Sequence, residues 1–175
     1  TILSPPDWVE ARPYQQRAIQ SWIEADGRGI LHMATGTGKT VTALLTTAQV
    51  ARSLDGPFVL VVAVPYQHLV DQWADDLQEF GADPILAYQS RRNWQPRLER
   101  ELLEFNNGVR DTCVVVTTHR TLSLAGARQT LGRARGRLML IADEVHHLGA
   151  TQTQEALMDA FTLRLGLSAT PERWY

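Results

Sequence analysis

Met33-Ala34-Thr35-Gly36-Thr37-Gly38-Lys39-Thr40 lies between the apolar run Ile30-Leu31-His32 and a stretch rich in alanine, leucine and threonine that opens at Thr40. A strand, a glycine turn and a helix in that order are the setting of a phosphate-binding loop, because main-chain N–H groups at a helix N-terminus converge on an anion. Gly36 and Gly38 permit the tight bend. Lys39 is the only lysine among 17 basic side chains, the rest being arginine. A thin, flexible ammonium can slide alongside β- and γ-phosphates where a planar guanidinium fork fits poorly. The Thr40 hydroxyl is suited to a magnesium ion, Mg2+. The loop departs once from G-x-x-x-x-G-K-[ST], carrying Met33 where that pattern has glycine.

Outward from this loop the chain alternates. Short apolar runs at 29–33, 58–64, 84–87, 112–117, 138–142 and 163–167 are separated by helical stretches at 39–53, 68–80, 95–105 and 153–161, with a broken region at 122–131. A further helix over 14–25 precedes the first strand, with Tyr14, Ala18, Trp22 and Ala25 on one face. Strands alternating with helices predict an α/β sandwich whose mainly parallel sheet is covered on both faces. With 175 residues, 44% hydrophobic and 21% charged, one domain covering 1–175 is expected. No repeat, linker or membrane-spanning apolar run interrupts it, and a soluble, cytoplasmic protein is expected.

A formal net charge of −2 makes no demand for a polyanionic partner, so any nucleic-acid contact has to come from a local patch. Acids predominate between Asp71 and Glu104, whereas residues 112–142 contain no Asp or Glu and carry Arg120, Arg128, Arg133, Arg135 and Arg137. Arg91-Arg92-Asn93-Trp94 mixes arginines with an aromatic. Solvated helix faces and a surface for a nucleic-acid backbone are both open readings of these clusters. Cys113, the single cysteine, sits in an apolar run and reads as a buried structural thiol.

The apolar run Leu138-Met139-Leu140-Ile141-Ala142 ends in Asp143-Glu144-Val145-His146-His147. Two carboxylates at the carboxyl end of a buried strand lie at the edge where open parallel sheets bind ligands. Asp143 is placed to hold magnesium through its water shell, and Glu144 to take a proton from the water attacking a γ-phosphate. Adjacent histidines point in different directions on most backbones, and no third ligand cluster accompanies them, so a zinc site is not expected.

Taken in order, these elements resemble the first RecA-like domain of superfamily 2 helicases and translocases along almost the whole chain. Arg12-Pro13-Tyr14-Gln15 is similar to the adenine-reading Q-type element, and Ala34 to Thr40 to motif I, or Walker A. Val64-Pro65-Tyr66-Gln67-His68-Leu69-Val70-Asp71-Gln72-Trp73 is similar to motif Ia. Thr117-Thr118-His119-Arg120-Thr121-Leu122 resembles the later nucleic-acid-contacting motif, Asp143 to His146 the DExH form of motif II, and Leu167-Ser168-Ala169-Thr170-Pro171 motif III. The variant Met-Ala-Thr-Gly-Thr-Gly-Lys-Thr and the Gln-Trp pair look most like XPB-type helicases and restriction-enzyme motor subunits, a branch that tolerates Met33.

The resemblance implies a RecA-like three-layer α/β/α sandwich that binds ATP with magnesium. It implies nucleotide contacts from Arg12, Gln15, Thr35, Gly36, Thr37, Gly38, Lys39 and Thr40, and catalysis by Lys39, Asp143, Glu144 and His146, with Thr40 and Asp143 at the metal. The Gln15 amide would read adenine with help from Arg12. Trp8 is weighed as a base-stacking residue, with ordinary packing preferred, and packing is also preferred for Trp73. Pro65, Gln67 and Thr118 match positions that touch the backbone of a tracked strand, DNA rather than RNA, with Arg120 as the basic candidate beside them. Ser168 and Thr170 would couple the two sites. A second RecA-like domain, absent from this chain, would supply arginine fingers, typically worth about 10³ to 10⁵ in rate. The piece alone is therefore expected to be monomeric, to hydrolyse slowly and not to unwind. A nucleotide-dependent interaction module without productive hydrolysis is the alternative. A P-loop kinase leaves the Pro65, Thr118 and Ser168 elements unexplained.

Overall fold

The computed structural model describes residues 3–33, 38–54, 56–145 and 160–168. Its six strands are β1 (Arg28–His32), β2 (Phe58–Val64), β3 (Ile85–Ala87), β4 (Thr112–Thr118), β5 (Arg137–Ala142) and β6 (Leu163–Ser168). They form one sheet in the order β1-β6-β5-β2-β4-β3, and every pairing is parallel. The helices are α1 (Pro13–Glu24), α2 (Lys39–Ser53), α3 (Gln67–Glu79), α4 (Arg91–Asn106), α5 (His119–Leu122) and α6 (Ala125–Leu131). The helix expected over 153–161 falls outside the described residues except for its last two positions.

The continuous apolar strands hide a two-sided pattern. Along β2, Phe58, Leu60, Val62 and Val64 join a core with α1, α2 and α3, while Val59, Val61 and Ala63 join a second core with α4, α5 and α6. The period of two assigns alternate side chains to opposite faces, and helices on both faces leave no polar side, so the strand reads as an unbroken hydrophobic run. Three layers follow, an α/β/α sandwich with two cores. Gly136, before β5, admits Phe105 of α4 so closely that a Cβ there would lie 2.6 Å from its ring.

Two expectations need correcting. Helix α4 starts a turn earlier than position 95: Ser90 caps it, accepting from the Arg92 N–H at 3.4 Å, and Pro96 lies inside it. The hydrogen bond that Pro96 cannot donate would have gone to the carbonyl of Arg92, an exposed residue where water can replace it. That extra turn buries Trp94 to 2% exposure, which removes the aromatic from the Arg91-Arg92 surface cluster. Trp8 departs in the other direction, being 70% exposed rather than packed.

Candidate nucleotide site

All six strands run the same way, so their carboxyl ends gather the ends of β1, β2, β4, β5 and β6 along one edge. Gly38 caps α2 in the left-handed region at φ 78°, a conformation that glycine adopts without the Cβ penalty. Lys39 is the first residue of that helix and Thr40, half-buried, the second. Met33, which stands where the loop pattern has glycine, rests half-buried against the first core. Its N–H donates to the Ser168 carbonyl at 3.2 Å, tying the start of the loop to the end of β6.

The carboxylates arrive from β5. The N–H of Asp143 donates to the Ala63 carbonyl at 2.9 Å, continuing the β5–β2 ladder by one residue. The chain then turns sharply: Glu144 has φ 46°, a left-handed conformation that costs a non-glycine residue on the order of 1 kcal/mol or more. The turn is secured by the Glu144 N–H donating to Asp143 Oδ1 at 3.0 Å. Lys39 Nζ reaches both acids, at 2.9 Å from Glu144 Oε1 and 3.8 Å from Asp143 Oδ1. One cation and two carboxylates thus meet across 105 residues of chain in partly shielded surroundings, where a charge pair is worth more than on an open surface. Asp143 is 7% exposed, and its Oδ2 accepts from Trp73 Nε1 at 3.2 Å.

Gln15 is 4% exposed and joins the same assembly from α1. Its Oε1 accepts from the Arg12 N–H at 2.9 Å, closing the first turn of α1, and its Nε2 donates to Thr42 Oγ1 at 2.9 Å. Thr42 in turn donates to the Gly38 carbonyl at 2.9 Å. The amide expected to read adenine makes one hydrogen bond at each end and is tied through Thr42 to Gly38 at the start of α2. The Arg12 side chain is exposed.

A second group of predicted residues lies along the same edge. Val64 pairs with Thr118 in register, which sets Pro65 beside the end of β4. Gln67 and Arg120 are exposed, and Pro65 is half-buried. Thr118 is only 6% exposed and its hydroxyl caps α5, accepting from the Thr121 N–H at 3.1 Å and bonding Thr121 Oγ1 at 3.0 Å. Ser168 is 2% exposed at the end of β6. Thr35, Gly36, Thr37, His146 and Thr170 lie outside the described residues. Among the described residues no group of three or more His, Cys, Asp or Glu could hold a metal. No described helix is long and apolar enough to cross a membrane.

Sequence reasoning missed two parts of this site. Thr42 belongs to it because one helical turn returns its hydroxyl to Gly38. Trp73 stands in the motif Ia match, where its role reads as packing. Its signal is the indole N–H, which requires an acceptor once buried, but the acceptor's identity depends on β2 and β5 being neighbours.

The profile of the family described as "Type III restriction enzyme, res subunit" matches residues 9–173. The chain belongs to that family. Rad25 of Haloarcula marismortui, a candidate DNA 3′-5′ helicase, is 26% identical over 166 residues, covering 94% of this chain and 23% of the relative. The chain therefore spans about a quarter of that relative's length. Among solved structures, a nuclease-deletion mutant of the Type ISP restriction-modification enzyme LlaGI, in complex with a DNA substrate mimic, superposes with a TM-score of 0.74 at 20% identity, covering 95% of this chain and 18% of that one. The UvsW helicase from bacteriophage T4 superposes at 0.64 with 18% identity, covering 97% and 56%. The fold is RecA-like, and the family relates the chain to superfamily 2 motor domains of restriction enzymes and other translocases, a class for which use of ATP with magnesium is typical.

Proposed function

We propose that this chain is the ATP-binding domain of a superfamily 2 translocase or helicase acting on DNA, productive when joined to a second RecA-like domain. The observation that carries the reading is the convergence of Lys39, Asp143 and Glu144 at the carboxyl edge of the sheet. The donor set fits a magnesium nucleotide: a lone ammonium at a helix start, a hydroxyl on the next residue, and a buried carboxylate whose orientation is fixed by two N–H groups.

In the proposed mechanism Lys39 leaves Glu144 to lie along the β- and γ-phosphates, so binding frees the base as it seats the nucleotide. Thr40 and Asp143 would hold the magnesium ion, which when bound neutralises charge on the phosphate oxygens. Glu144 then accepts a proton from the attacking water. Gln15 keeps the loop in shape through Thr42. Pro65, Gln67 and Arg120 offer the tracked strand a surface at the ends of β2 and β4, and contacts to its backbone imply weak sequence preference and strong salt dependence. Thr118 supports that surface by capping α5, and the Ser168 carbonyl ties the end of β6 to Met33 at the start of the loop. The DNA named with LlaGI and Rad25 supports DNA over RNA.

The test uses the solitary lysine. A lysine-selective reagent can label only Lys39 and a free amino terminus, and magnesium ATP should protect Lys39 from it. Unchanged labelling under saturating nucleotide sinks the site. Lys39→Ala should abolish nucleotide binding and the slow hydrolysis of the chain.

A further inference from the structure

Trp73 has the burial of an ordinary core residue, 3% exposed and packed in the core with α1, α2 and α3. Its donor is used in an unusual way. Trp22, the other buried tryptophan of that core, satisfies its indole N–H on a main-chain carbonyl, that of Arg164, at 2.9 Å. Trp73 gives its own to the carboxylate of Asp143, 70 residues away, at 3.2 Å.

Asp143 is consequently gripped from three directions. Its N–H is on the Ala63 carbonyl, its Oδ1 on the Glu144 N–H, and its Oδ2 on Trp73. The Ala63 carbonyl also lies 3.2 Å from His119 Nε2. A carbonyl only accepts, so that nitrogen carries the proton, and one oxygen joins the end of β5 to the start of α5. Trp73 itself stands on α3 six residues past Gln67, about 9 Å along the helix axis from the turn that follows Pro65. A rigid helix thus runs from the proposed strand-contacting turn to the carboxylate proposed for the metal.

We propose that Trp73 is a positioning residue for the magnesium site: its indole N–H holds the Asp143 carboxylate in one rotamer. The inference rests on the nucleotide-site reading above. Outer partners of a metal-binding carboxylate orient it, and their loss typically costs about 10- to 100-fold in metal affinity. Asp143 would act through water, which sets the expectation at the lower end of that range.

The measurement is the magnesium concentration giving half-maximal binding of a fluorescent ATP analogue to the 175-residue chain. Trp73→Phe keeps an aromatic ring in the core and removes the donor, and binding in excess chelator separates that loss from the effect of the smaller ring. The substitution should raise that concentration about tenfold, while binding of the analogue in excess chelator changes by less than about twofold. If Trp73→Phe matches the wild type while Asp143→Asn shifts the magnesium dependence, Trp73 is a packing residue and the inference fails alone. If neither variant shifts it, the metal site is misplaced and both readings fail. A second measurement needs no variant at Trp73. The indole N–H resonance of Trp73, assigned in the wild-type chain by through-bond and through-space transfer, should move when magnesium is added to the nucleotide-saturated protein. A resonance that stays fixed overturns the inference.

Discussion

Glu144→Gln should tighten nucleotide binding. The Lys39 ammonium is 2.9 Å from Glu144 Oε1, with 18% and 24% of the two side chains exposed. A phosphate must take Lys39 from that partner. The gross attraction at 2.9 Å is about 6 kcal/mol for an effective dielectric near 20. Desolvation and side-chain ordering offset most of it. Exposed pairs are worth about 0.2–1 kcal/mol and hydrogen bonds to charged groups about 1.5–3. These half-shielded partners fall between, at about 1–2 kcal/mol, or about 5- to 30-fold in affinity. The glutamine amide removes the charge at nearly constant shape, so the competitor is weakened while the phosphate loop is untouched. The assay is a titration of a fluorescent ATP analogue with magnesium against wild type and Glu144→Gln at low and high salt. The variant should bind more tightly, and the gap should narrow as salt screens the pair. The same substitution should lower the melting temperature of the nucleotide-free chain by about 2–8 °C, since about 1 kcal/mol moves a chain of this size by 2–4 °C. Equal or weaker binding by the variant would refute the competition.

Three further outcomes are expected elsewhere in the fold. Glu101 is 2% exposed and bonded by Arg97 Nε at 2.6 Å and Arg110 Nη1 at 3.1 Å, whereas each arginine keeps a second acid, Asp83 or Glu104. Replacing both arginines by alanine strands a buried carboxylate and should cost about 3–5 kcal/mol by urea unfolding, more than Glu101→Leu; the reverse ranking would show that the network is not organised around Glu101. Burial, with Glu101 adding, pushes the Cys113 thiol up to about 12, so it should resist a thiol reagent at pH 8 until the chain is unfolded; rapid modification of the folded chain would contradict its placement. Burial raises the Asp76 pKa above the usual carboxylate value, with Glu79 and Asp75 adding. A raised folded pKa means that the folded state binds the proton more tightly, so stability lost at neutral pH returns as pH falls through that pKa. Asp76→Asn should therefore raise the melting temperature at pH 7, with the gain fading in acid, and a pH-independent difference would exclude the charge as its cause.

Much of this was open to a reader of the residues. Period-two and period-3.6 patterns give local structure, and β1 to β6 are recognisable because each is apolar and bounded by turn residues. Lys39, Asp143 and Glu144 are legible because their chemistry is scarce in such settings. What stayed hidden depends on neighbours distant in sequence. Trp94 beside Arg91 and Arg92 reads as a surface aromatic until the earlier start of α4 turns it inward. Gln15 reads as a donor and acceptor for a base, and its bonds to Thr42 and the Arg12 N–H come into view only once α1 is seen packed beside α2. Trp73 becomes part of the site only once β5 is known to lie beside β2.

The sheet order has a consequence for how the protein is made. β1 stands at the edge of the sheet and pairs with β6, Arg28 opposite Arg164, so the strand that leads into the phosphate loop waits for a partner emitted 136 residues later. At about 5–20 residues per second, the interval on a ribosome is roughly 7 to 27 s. β2 and β4, whose pairing needs a much shorter wait, can assemble first. Nascent chains should thus acquire a folded centre well before they can hold a nucleotide, and a chain stalled before β6 should be compact yet unable to bind ATP.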